Sequence, residues 1–316
     1  MTNDSLAVLL MTNRLVDVDA APLTAREIWG LYDKIPQIGQ VLEVSAHELV
    51  SDYAIEFNEA ERIKKLCDAA TAFVFEMKRL EDSGIRVLSF LDEDFPKRVT
   101  NVLGNKSSAF LLVAGNTDLL EKTGRGIVGS RDAGEEAIAV AQSAANAAIR
   151  QGDVVVSGLA RGIDRVAMTA ALEVDGQVVG VPTEGLRTIA NTNEIRNLVH
   201  EGKICMVSPY GPDVRFSVGL AMGRNRFVYA LSESTLVVVS DLEKGGTWEG
   251  AKEALAGKFA QVDVWAGDGA TDGNRGLLKL GASAVSSRDE FWVSGYIPAQ
   301  VVLKTAQPTL VESPTL

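Results

Sequence analysis

From Gly126 onward, short apolar runs recur at near-regular intervals with helix-length stretches between them, and this rhythm restricts the fold more than any other feature of the chain. The runs are 126–128, 154–157, 178–181, 204–207, 236–240 and 262–266; the helical stretches between them include 135–150, 164–172, 194–200 and 248–257. The runs are continuous rather than alternating, so both faces of each strand are buried. Strands of that kind, joined by helices, belong in a parallel sheet covered on both sides. The expectation is a doubly wound α/β domain spanning about 83–290.

The flanks read differently. Residues 1–82 are expected to form a small helical domain. Thr24 with Glu27, and Ser45 with Glu48, have the spacing of a hydroxyl that caps a helix while a carboxylate three residues on bonds back. Residues 58–82 carry Ile63, Leu66, Cys67, Ala70, Phe73, Phe75, Met77 and Leu80 at a mostly helical period. The β-prone segments 85–90 and 109–113, with a loop through Asp94, Phe95 and Pro96 between them, are expected at an edge of the sheet. Residues 291–316 read as a tail, with Pro, Thr and Ser and no period from about 297.

Composition narrows the class. The chain is 46% hydrophobic and has only two Cys and two His. A disulfide framework and a His-based metal or triad site are therefore disfavoured, and Cys67 and Cys205 read as buried thiols. The first residues lack a basic segment before their short apolar run, and no stretch approaches the roughly 20 apolar residues that cross a bilayer. The expected setting is cytoplasmic, without a membrane partner and without a cofactor.

The net charge of −11 argues against nucleic acid, because affinity for a phosphate backbone comes from Lys and Arg. Its distribution reverses the argument. Residues 125–226 hold 11 basic and 11 acidic side chains, and ten of those 11 basic residues are Arg. Arg is favoured where a planar fork meets phosphate or stacks on a flat ring.

In an open α/β sheet, ligands bind beyond the carboxyl ends of the strands. The informative residues follow the apolar runs. They are Gly129-Ser130-Arg131, then Ser157-Gly158-Leu159-Ala160-Arg161-Gly162-Ile163-Asp164, and later Lys244-Gly245-Gly246-Thr247. Gly158 and Gly162 let backbone approach a ligand, while Ser157 and the amides opening the next helix can donate to phosphate oxygens. Asp164 is placed as an N-cap or loop-orienting carboxylate. Neither GxGxxG nor GxxxxGK[ST] is present. Gly223-Arg224-Asn225-Arg226 falls in a helix running to Leu231, where Arg224 and Arg226, two apart, do not share a face. One reaches a ligand while the other is structural, or both are solvated.

Taken together, GSR at 129–131, SGLARGID at 157–164, GRNR at 223–226 and the glycine loop at 245–247 resemble the DNA-processing protein A family, called DprA or Smf, over about 83–285. The resemblance implies an extended Rossmann-like domain that binds single-stranded DNA, protects it during DNA uptake and recombination, assists loading of a RecA-type recombinase and forms a homodimer. It places Gly129, Ser130, Arg131, Ser157, Gly158, Arg161, Gly162, Arg224, Asn225 and Arg226 at the DNA site, with Gly245, Gly246 and Thr247 closing it.

The chain departs from the family pattern in three places. Ala167-Met168-Thr169 stands where Ala-His-Arg is frequent. Ile189-Ala190 stands in place of Tyr-Pro, so an aromatic platform is not evident and Arg187 is the candidate substitute. The loop Lys244–Glu249 is similar to the GGxGT-E loop of LOG-type nucleotide phosphoribohydrolases. That similarity implies an alternative, nucleotide binding or N-glycosidic cleavage with Glu249 and Arg224 as catalytic groups; otherwise Glu249 is a first-turn acid that complements the helix dipole.

Overall fold

The structure is a computed structural model and describes residues 1–12 and 15–292. The expected tail lies, beyond Trp292, outside the described residues.

The strands are β1 (Ile85–Ser89), β2 (Phe110–Gly115), β3 (Gly124–Gly129), β4 (Val154–Ser157), β5 (Val178–Gly180), β6 (Ile204–Ser208), β7 (Ser234–Val239), β8 (Gln261–Trp265) and β9 (Ser283–Val285). They form one sheet in the order β1-β2-β6-β5-β4-β3-β7-β8-β9. From β6 to β9 every pairing is parallel. β1 and β2 add an antiparallel edge, with Ile85 opposite Ala114 and Ser89 opposite Phe110.

Strand periodicity sorts the core into two layers. Val155 enters one apolar cluster, while Val154 and Val156 enter the other. On the first face lie the helices Glu135–Arg150, Ile163–Glu173 and Asn193–His200, together with Ala70–Asp82. Ala141, Ala144, Ala145 and Ala148 are fully buried, and their small side chains let the first helix sit close to the sheet. Lys97–Leu103, Val218–Ala230, Gly245–Gly257 and Asp272–Lys279 cover the other face.

The helices Asn3–Met11, Ala25–Lys34, Ala46–Tyr53 and Phe57–Cys67 surround a third core containing Met11, Ile28, Leu49, Ile63 and Leu66. Both expected capping boxes form, at Thr24 with Glu27 and at Ser45 with Glu48. The single period expected over 58–82 is instead two helices that break at Asp68 and Ala69. The break turns Ile63 and Leu66 into the N-terminal core and Phe73 and Leu80 onto the sheet. The loop after Phe95 also contains a helix, Lys97–Leu103, whose Val99 and Leu103 are buried. Cys67 and Cys205 are both free and buried, and burial pushes their thiols up to about 11 and about 12. No helix of the described residues is long and apolar enough to cross a membrane.

Candidate functional site

β3 is the strand at which the winding reverses. The chain runs outward on one side through β4, β5 and β6, then returns to pair β7 with the opposite side of β3. Loops beyond the carboxyl ends of such strands diverge and leave a crevice. Here they enclose a cavity of about 540 Å³. One wall is Gly129, Ser130 and Arg131 after β3; another is Lys244, Gly245, Gly246 and Thr247 after β7. Arg224, Asn225 and Tyr229 close it from the helix Val218–Ala230, and Asp164 and Ala160 from the segment after β4.

The floor is built around Asp164. The helix after β4 is capped by Gly162, whose φ of 88° suits glycine, so Asp164 lies inside the first turn and not at the cap. Its buried carboxylate accepts backbone N–H bonds from Gly129, Gly158 and Ala160, and faces Arg224. Burial raises its pKa, against the pull of the guanidinium and the three amides. One side chain thereby ties the loop after β3 to the loop after β4. Arg224 is only 4% exposed and its guanidinium lies against Gly158; a Cβ there would overlap Nη1 and Cζ. Gly158 is thus required for contact with a protein group, and burial lowers the Arg224 pKa.

Arg226 points elsewhere and pairs with Glu253 at 3.0 Å. Of the two arginines, then, Arg224 reaches the cavity and Arg226 braces neighbouring helices. Asn225 donates from Nδ2 to the Gly246 carbonyl at 2.9 Å, fixing the opening turn of the helix Gly245–Gly257. That turn has no side-chain cap. Its orphan amides at the cavity wall are donors suited to an anion.

Other expected residues have different surroundings. Ser157 is buried and donates its hydroxyl to the Ile127 carbonyl at 2.6 Å, so it serves the sheet. Gly158 and Gly162 shape the floor without lining the cavity. Arg161 is exposed and pairs with Asp132 at 3.0 Å. Arg187 lies outside the cavity, held by Glu76 and by Asp213. Trp248 is core, whereas Glu249 reaches the cavity wall and pairs with Lys252 at 2.8 Å. Sequence reasoning did not select Phe216, Tyr229 or Asp241 as site residues, and all three line the cavity. Phe216 carried a signal, being an isolated aromatic beside Arg215 in the otherwise polar stretch 211–217.

The cations of the lining are Arg131, Arg224 and Lys244, and the acids are Asp164, Asp241 and Glu249. Asp164 and Arg224 compensate each other on the floor. An anion would therefore depend on Arg131, Lys244 and the amides at the walls. Among the described residues no group of His, Cys, Asp and Glu is arranged to hold a metal ion.

Known proteins share this arrangement. The DNA processing protein DprA of Bacillus subtilis is 27% identical over 220 residues, covering 67% of this chain and 71% of that protein. DprA of Streptococcus pneumoniae is 29% identical over 202 residues, covering 63% and 70%. The X-ray structure of the S. pneumoniae protein superposes with a TM-score of 0.59 at 24% identity, covering 84% of this chain and 96% of that one. A structure of DNA processing protein A from Helicobacter pylori, described for its single-stranded DNA binding mode, gives 0.54 at 23% identity over 66% and 93%. A family model described as DNA recombination-mediator protein A matches residues 86–294, a span that takes in every motif segment from Gly129 to Thr247. By that match the chain belongs to the DNA recombination-mediator protein A family, the group of the DprA and Smf proteins.

Proposed function

We propose that the protein binds single-stranded DNA at the cavity beyond β3 and β7, without catalysis of its own. The observation that carries this reading is the placement of Arg131, Lys244 and the uncapped amides of Gly245–Thr247 around one opening. Phosphate oxygens are acceptors that such a rim suits, and contacts to the backbone give affinity with little sequence preference. Family membership and the H. pylori relative's single-stranded DNA binding support the same reading. In cells the protein would shield incoming or recombining strands and assist loading of a RecA-type recombinase, as a homodimer and in the cytoplasm. The first 82 residues would act as a separate helical unit.

A salt-series titration with oligo-dT and a duplex of equal length tests it. Single strands should bind more tightly, with affinity falling as salt rises. Equal or tighter duplex binding overturns the proposal. Glu249 and Arg224 share the cavity, as a nucleotide N-glycosidase would need. Release of free base from nucleoside monophosphates, lost in Glu249→Ala, would establish that alternative.

A further inference from the structure

We infer that Phe216 is a stacking platform for one unpaired nucleobase, at the mouth of the cavity that the preceding section reads as a single-stranded DNA site. Phe216 is 45% exposed although it lines the cavity, so much of its ring remains for a ligand to cover. Val218 and Met222, also on the lining, are 69% and 42% exposed. Spaced by four, they share a helix face and extend the apolar rim. The Arg131 guanidinium lies over the Phe216 ring, 5.5 Å from its centroid. The opening therefore joins an apolar, aromatic part to Arg131, Lys244 and helix-end amides, the two chemistries of a nucleotide. The lining carries as many acids as cations, so charge alone accounts poorly for affinity.

The platform is held rigidly. Phe216 immediately precedes Ser217, whose hydroxyl caps the helix by accepting the Leu220 amide at 3.2 Å. The segment leading to it is clasped to residues 185–187. Gly185 donates its amide to the Val214 carbonyl at 2.8 Å, Arg187 donates its amide to the Pro212 carbonyl at 3.1 Å, and Arg187 Nε bonds Asp213 at 2.9 Å. On the far side Arg187 is held by Glu76. Tyr210 donates its hydroxyl to the Leu220 carbonyl at 2.7 Å, lashing the segment to the helix it enters. Arg187 is thus a positioning residue for the platform, where the sequence suggested that it stacked on a base itself.

Stacking tolerates any base because every base has a π-face, whereas a base within a duplex is already stacked and paired. The platform therefore selects single strands without reading their sequence.

The test compares Phe216→Ala, Phe216→Leu and Phe216→Trp with Arg131→Ala in oligo-dT titrations at several salt concentrations. Stacking predicts that the Ala and Leu variants each lose about tenfold in affinity, within the range for one stacked base, with an unchanged salt slope. It predicts that Trp retains affinity, and that its added fluorescence is quenched on binding. Arg131→Ala should lower both affinity and slope, the slope by about 1. Wild-type affinity in the Leu variant, or in the Ala variant alongside a weakened Arg131→Ala, overturns the platform and leaves the cavity's role standing. Full affinity in both Phe216→Ala and Arg131→Ala overturns the cavity reading as well.

Discussion

The Asp164 carboxylate lies 3.8 Å from the Arg224 guanidinium, with both side chains almost wholly buried at the floor of the cavity. A pair taken out of water in this way holds its position only while both members are present.

Replacing Asp164 by Asn should therefore leave an uncompensated buried cation and weaken the acceptor that ties Gly129, Gly158 and Ala160 together. We expect a loss of about 3 kcal/mol in folding stability, seen as a lower urea midpoint. A variant as stable as wild type would show that the pair does not hold the floor.

Gly158→Ala tests the same floor by volume. The new methyl would overlap the Arg224 guanidinium and touch Asp164 Oδ2. Displacing that pair should cost about 1–3 kcal/mol, the usual scale for overpacking, and lower the melting temperature. Oligonucleotide affinity should fall with it, because Arg224 would be driven from its present place.

The surroundings of Arg131 and Arg161 separate two residues that the sequence treated alike. Arg131→Ala should weaken oligo-dT binding by tenfold or more, about 1.4 kcal/mol. Arg161→Ala should change it by no more than about twofold, since its exposed pair with Asp132 contributes little. Fluorescence anisotropy at fixed salt reads both, and a larger loss at Arg161 than at Arg131 would refute the assignment.

Acid should loosen the N-terminal helices first. Hydrogen bonding to Arg62, reinforced by the Thr24 cap, brings Glu27 from its usual 4.5 to about 2. A carboxylate depressed in the folded state contributes stability above its unfolded value and loses it as pH falls through the folded one. The contribution should disappear between about pH 4.5 and about pH 2. Helicity measured against pH in Glu27→Gln should lack that component; a profile identical to wild type would contradict it.

Much of the sheet was legible because its signals are local. The helix Glu135–Arg150 has its apolar residues at a helical period, and the run at 154–157 has the continuous apolarity of a strand buried on both faces. The helix Lys97–Leu103 was hidden by its shortness and by the Pro before it. β9 is a three-residue strand with two exposed positions, so neither length nor pattern announced it. At the site, Gly129 to Arg131 and the 245–247 loop could be found because topology fixes where strand ends gather. Ser157 misled, since its position after an apolar run suggested a ligand while its hydroxyl turns to Ile127. Phe216 depends on a clasp to residues some thirty positions earlier, and no local pattern encodes that.

The pairing of β3 with β7 also sets an order of assembly. Arg131 emerges from the ribosome well before Lys244, with β4, β5 and β6 between them. A chain interrupted ahead of β7 would own the first wall and much of the floor, but no second wall against which a ligand could be held. Such long-range closure is intrinsically late in folding. Synthesis itself thus acts as a safeguard: truncated products of this gene should compete poorly with the finished protein for its ligand.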